Sequence, residues 1–226
     1  MRSVFDREIM GLLNDISSMG TRVDRIMGDT IKALKDHDFI LARQIFESDH
    51  YINDMEAMVE RKSFNLIALQ QPIAGDLRRI TASLKVVTDI ERVADQCADI
   101  CEIMTTYPDF HSMQTPPLLI RMFEEARDMF VGAIDSFMQL DVEKAMDVCA
   151  KDDSVDEKFS QMVNELTSLL QSDHKHVSQA TDYMFIAKYI ERIGDHATNI
   201  AEWAAFQVTG EHKNMQQNMY DNVDED

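Results

Sequence analysis

Apolar residues fall at steps of three and four through Val23, Ile26, Met27, Ile31 and Leu34, which predicts a helix over residues 4–35. Lys35-Asp-His-Asp38 ends it, and Asp38 is placed to cap the next helix, because its carboxylate can accept a free backbone N–H. That second helix is expected from Phe39 to about Leu69, with Ile45, Ile52, Val59 and Leu66 at heptad spacing. Gln70-Gln-Pro72 breaks it, and proline suits the first turn of a new helix, so a third is expected from about Ile73 to Met104. Residues 107–117 hold three of the four prolines and read as a linker. The pattern then restarts. A fourth helix is expected over residues 118–139, and Asp141 is placed to cap a fifth that carries Val148, Val155, Met162 and Leu169. Ser172-Asp-His-Lys175 interrupts it, and a sixth is expected over residues 176–208.

The restart is a duplication. Glu91-Arg-Val-Ala-Asp-Gln-Cys-Ala-Asp-Ile-Cys-Glu102 recurs as Glu191-Arg-Ile-Gly-Asp-His-Ala-Thr-Asn-Ile-Ala-Glu202, with matching apolar positions upstream at Leu84/Met184, Val86/Ile186 and Ile90/Ile190. The third and sixth helices align at an offset of 100, the second and fifth at 103, so the second copy is shorter by about one helical turn. The fold class is therefore all-α: two tandem three-helix bundles of helices roughly 45 Å long, side by side about a pseudo-twofold. The domain boundaries expected are 1–107, a linker at 108–117, 118–210, and an acidic, disordered tail over 211–226.

Composition agrees with helices: 226 residues, 45% apolar, with only seven Gly. No apolar run approaches the roughly 20 residues that cross a bilayer, and the charged N-terminus does not read as a signal peptide, so a cytoplasmic protein is expected. The net charge of −19 repels nucleic acid and suits cations or a basic patch on a partner. Cys97, Cys101 and Cys149 show no disulfide pattern, and the repeat puts Ala197 and Ala201 opposite the first two, which marks them as small core residues.

The chemistry that stands out is acidic. Glu91, Asp95, Asp99 and Glu102 form one stripe of the third helix, and Glu191, Asp195, Asn199 and Glu202 form one on the sixth, at the border of the core or outside it. Asp49 and Asp152 sit between core positions of the preceding helices, with Asn53 and Asp156 one turn on. If these helices meet, each bundle gathers oxygen ligands suited to Mg²⁺, Mn²⁺, Fe or Zn²⁺. Two other readings stand beside that one: a solvated acidic face, and salt bridges to Arg92, Arg192 or Lys188. A ferritin-like di-iron site would need Glu-x-x-His on two helices, and only Glu47-Ser-Asp-His50 matches. No phosphate loop or nucleophile elbow is present, and no enzyme is expected. His37, His50, His111, His174 and His176 read as solvated, and Met55, Met58, Met162 and Met184 as core packing.

Glu191–Glu202, together with Gln71-Pro-Ile-Ala-Gly-Asp-Leu-Arg78, resembles the signature of the PhoU family of phosphate-signalling regulators. The first copy departs from it at Ala94, Gln96, Cys97 and Asp99. The resemblance implies two three-helix bundles in a cytoplasmic, often homodimeric, negative regulator. It implies contact with the ATPase subunit of a phosphate ABC transporter and with a phosphate-sensing histidine kinase. Some members bind metal through acid-x-x-x-acid motifs, which fall here on Glu91/Asp95, Glu191/Asp195 and Asp152/Asp156, and imperfectly on Asp49/Asn53. On that basis the second bundle is expected to bind a cation more strongly than the first. The alternative function is a metal-binding or metal-storing bundle with metal-dependent catalysis.

Overall fold

The computed structural model describes residues 2–106, 110, 113–172 and 174–211, and every element within them is helical. The helices are α1 (Arg2–Asp36), α2 (Phe39–Glu47), α3 (His50–Gln70), α4 (Gly75–Thr106), α5 (Pro117–Gln139), α6 (Val142–Ser172) and α7 (Val177–Thr209), with a 3₁₀ turn at His174–His176 before α7. Asp38 caps α2 by accepting from Leu41 N–H at 3.0 Å, and Asp141 accepts from Lys144 N–H at 3.0 Å at the equivalent turn. Pro117 opens α5, where the missing amide proton removes one of the helix's unpaired donors. Pro72 does not open a helix: Gln71 ends α3 in the left-handed region, φ 47°, and α4 begins only at Gly75.

The second helix departs from expectation. It is split at Ser48–Asp49, whereas its counterpart α6 is continuous. Ser48 Oγ donates to Ile45 O at 3.0 Å and His50 Nδ1 lies 3.1 Å from Glu47 O, so side chains compete for the carbonyls that would continue the ladder. The backbone tightens to three-residue bonding, with Tyr51 N–H on Ser48 O and Ile52 N–H on Asp49 O.

α1 packs with α2, α3 and α4; α5 packs with α6 and α7. The two sets meet along α4–α7 and α1–α5, and one apolar core runs through both. Ile16, Val23 and Met27 of α1, Ile90 and Val93 of α4, Phe123 and Phe130 of α5 and Ile190 and Ile193 of α7 are all fully buried in it. Ile52 and Val155, equivalent heptad positions, are fully buried too. Cys97, Cys101 and Cys149 are buried core residues, and burial pushes the Cys101 thiol up to about 12. Met162 is fully buried and Met55 and Met184 pack against the core, but Met58 is exposed. His37 is half-buried against Phe110, with ring centroids 6.2 Å apart, rather than solvated. His176 is also half-buried, while His50 is exposed as expected.

The connecting segment is fastened to both halves. Thr115 Oγ1 donates to Leu34 O at 2.7 Å, and the fully buried Tyr183 of α7 donates from its hydroxyl to Met113 O at 3.2 Å. Residues 107–109, 111–112 and 212–226, with most of the expected tail, and the side chain of His174 lie outside the described residues. Among the described residues no helix is long and apolar enough to cross a membrane.

Candidate functional site

The acids of the first half do come together. Asp49, at the α2–α3 break, and Glu91, Asp95 and Asp99 of α4 lie close enough to disfavour one another's charge. Glu91 is buried rather than at the core border, and its carboxyl rises to about 7, from burial first and then from Asp95 and Glu56, with Arg92 opposing. Burial, then Asp95, raises Asp49; a hydrogen bond from Asn53 pulls the other way. Asp99 is raised by burial, then by Asp95 and Glu102, against Arg192. Arg92 is the resident counter-charge: Nη1 is 3.1 Å from Asp95 Oδ2 and Nε 3.4 Å from Glu91 Oε2.

In the second half Asp156, Glu191 and Asp195 form the corresponding group. Burial, then Glu191, raises both Asp156 and Asp195, and Lys188 opposes. Lys188 Nζ sits 2.5 Å from both oxygens of Glu191 and above the Phe159 ring. Of the three salt-bridge partners foreseen for these stripes, Arg92 and Lys188 are thus engaged with them. Asp152 takes a different place. It is 3% exposed, and its Oδ1 lies over Gly194, 3.2 Å from where a Cβ would stand. A glycine at 194 leaves room for that carboxylate beside the helix backbone. Asn199 is turned away from the group, its Nδ2 3.4 Å from Asp89 Oδ1. Glu202 is buried, again inside the border the spacing suggested.

The α4–α7 contact carries polar groups that the motif did not single out. His196 Nδ1 donates to Asp89 Oδ1 at 2.9 Å, joining the two halves. Asp89 aligns with Tyr189 in the repeat, so the duplication gave no signal for this pair. Asp182, on the same contact, aligns with Ala82; the mismatch was visible in the sequence, but its burial was not. Among the described residues no three acidic, His or Cys side chains stand close enough to cage one ion as they are. The arrangement offers two carboxylate groups, each short of positive charge and each partly compensated by one basic residue.

Two three-helix units joined back to back through α4 and α7, each with an acidic seam, define a tandem-bundle protein built by duplication. The family model for the PhoU domain matches residues 16–104 and again 119–204. The chain belongs to the PhoU family. It is 33% identical over 210 residues to the phosphate-specific transport system accessory protein PhoU homolog of Clostridium acetobutylicum, covering 92% of this chain and 96% of that protein. It is 29% identical to the phosphate-specific transport system accessory protein PhoU of Escherichia coli, covering 92% and 86%. The crystal structure of PhoU from Pseudomonas aeruginosa superposes with a TM-score of 0.86 at 30% identity, over 92% of this chain and all of that one. The phosphate transport system regulatory protein PhoU from Streptococcus pneumoniae does so at 0.87 and 25% identity, over 93% and 99%.

Proposed function

We propose that this protein is a cytoplasmic accessory regulator of phosphate uptake that works by protein contact, not catalysis. It restrains uptake and the phosphate-starvation response by engaging the ATPase subunit of a phosphate ABC transporter and a phosphate-sensing histidine kinase, and it does so as a homodimer. The observation that carries this reading is the near full-length match, in both halves, to proteins named as accessories of the phosphate-specific transport system. Capture of the transporter ATPase from cells by the tagged full chain, stronger at high phosphate than in starvation, tests it. Capture that ignores phosphate, or none at all, rejects it.

The acidic seams hold cations in this reading. Carboxylates raised by burial and by each other are short of positive charge, and Mg²⁺, Mn²⁺, Fe or Zn²⁺ would supply it. Asp49, Glu91, Asp95 and Asp99 would hold a cation in the first half, with Asn53 as a neutral oxygen. Asp152, Asp156, Glu191 and Asp195 would do so in the second. The sequence ranks the second seam higher because Asn53 replaces an acid. The geometry favours the reverse, since Asp99 joins the first group while Asn199 is turned to Asp89. Binding requires small side-chain shifts and displacement of Arg92 or Lys188 from the carboxylates. A bound ion stabilises the fold by about 2.7 kcal/mol at a hundredfold excess over its Kd. Metal content and melting temperature, with and without chelator, read this out for the parent, Asp95→Ala and Asp195→Ala. Asp95→Ala is expected to lose more metal. A parent that holds none, with a melting point indifferent to chelator and cations, leaves the seams as salt-bridged faces. Turnover that tracks bound metal would move the protein to the metal-dependent alternative.

A further inference from the structure

α4 and α7 run antiparallel, since Asp89 meets His196 while Arg78, nearer the start of α4, meets Gly210 past the end of α7. The repeat relates the two helices by 100 residues, so each end of their contact has a counterpart at the other. At the end where α4 begins, Arg78 lies across the contact. Its guanidinium crowds Gly210, φ 76°, where any Cβ would stand 2.1 Å from Nη1. Lys85 lies two turns further along the same helix. At the opposite end the counterparts of Arg78 and Lys85 are Ser178 and Phe185, and Ala82 is replaced by Asp182. Two cations are gone and one acid is gained.

What remains there is an open groove of about 490 Å³ between the end of α4 and the start of α7. Asp99, Glu102, Asp182 and Thr181 line it, with Phe185 and Tyr189, and among the described residues no lysine or arginine does. Asp182 is 7% exposed, and its Oδ2 has no hydrogen-bond partner. A buried carboxylate in that condition calls for a donor. A single small metal ion fits poorly, because the acids do not converge on one point. A guanidinium fits better. Its charge is spread over a plane, it carries five donors that can reach separated oxygens, and it stacks on aromatic rings such as the 57% exposed Phe185. The volume is ample for one long side chain. At the other end of the same contact an arginine of the chain itself already lies in the corresponding place.

We propose that this groove receives an arginine side chain from a basic segment of another protein, in the position that Arg78 fills at the opposite end. A second copy of a chain with net charge −19 is a poor source, whereas a basic partner is drawn to it. The inference holds whichever protein supplies the segment and does not rest on the transport role.

The test titrates the isotope-labelled full chain with the peptide Gly-Arg-Gly-Arg-Gly, followed by amide chemical shifts. A second titration uses the same peptide with citrulline, the neutral isostere, in place of arginine. The arginine peptide is expected to shift the amides of Glu102, Thr181, Asp182 and Phe185, and the citrulline peptide to leave them unmoved. Asp182→Asn and Glu102→Gln should each weaken binding by about tenfold. Ser178→Arg, which copies Arg78, should block the peptide. Glu143→Gln removes an exposed acid of α6 that does not line the groove, and it should leave affinity unchanged. Should Asp182→Asn fail to fold by circular dichroism, Glu102→Gln and Ser178→Arg carry the test. The inference is overturned if the arginine peptide does not bind or binds no better than the citrulline peptide. Parent-like affinity in Ser178→Arg, or a loss in Glu143→Gln equal to that in Glu102→Gln, overturns it as well.

Discussion

In the second half Asp152 stands within an unbroken α6 with its carboxylate over Gly194; in the first half its equivalent, Asp49, stands where α2 ends, and the equivalent of Gly194 is Ala94. The apolar skeleton of the two halves is nearly the same, position for position, down to the fully buried Ile52 and Val155. The polar seams are not. A duplicated core is held by close packing, where a change of one methylene is felt. A seam at its edge tolerates a serine, a histidine or one methyl group, and these set where each carboxylate goes. One half buries its acid inside the helix contact, and the other presents its acid to Glu91 and Asp95.

The comparison rests on a shared core, and the largest effect should come from breaking that core. Ile52→Ala is expected to cost about 2–5 kcal/mol, and Val155→Ala somewhat less for its smaller side chain. Because one core spans both halves, each variant should lower a single melting transition in calorimetry. Two separated transitions would mean that the halves are thermodynamically independent and that their resemblance is only sequence history.

Asp182→Ala restores at one end of the α4–α7 contact what Ala82 provides at the other. Burial holds the Asp182 carboxyl above its ordinary 3.8, so the folded chain resists ionisation that the unfolded chain accepts. Below pH 3.8 the group is protonated in both states and contributes no penalty. As pH rises through the folded value, stability is lost. The variant should therefore gain roughly 1–3 kcal/mol at pH 7.5 and nothing at pH 3. A denaturant series at the two pH values checks it, and a gain that is equal at both rejects the assignment to charge.

Gly194→Ala makes the second half resemble the first. The new methyl would meet Asp152 Oδ1 at 3.2 Å, a contact that the end of a side chain can partly relieve. A loss of about 1 kcal/mol is expected, with Ala94→Gly costing a similar amount through helix propensity alone. If Gly194→Ala instead stabilises, the space over residue 194 is not what positions Asp152. The smallest differences should come from the two caps. Asp38 and Asp141 accept the same bond at the same distance, so Asp38→Ala and Asp141→Ala should each cost about 1 kcal/mol. Unequal losses would show that the split in the first half has already weakened α2.

Periodicity gave the all-helical class, residue type at the helix starts gave both aspartate caps, and the internal repeat gave the duplication and the buried status of Cys97 and Cys101, because each can be read along the chain without knowing which helices pack together. The acidic groups were legible for the same reason: Glu91 and Asp95, or Glu191 and Asp195, share a face by spacing. Where the reading failed, a second element was involved. The α2–α3 break is the local exception, set by Ser48 and His50 reaching carbonyls three residues back along the chain. The turn of Asn199 away from its group depends on Asp89, which lies 110 residues earlier in the chain. Glu91 and Glu202 are buried because of what packs over their helices. The open groove beside Asp182 and its filled counterpart at Arg78 exist only once α4 and α7 lie antiparallel. Local patterning specifies which face of a helix is apolar, but the depth of a carboxylate and the charge it meets are set by the helix that arrives against it. Only the packed fold makes that choice.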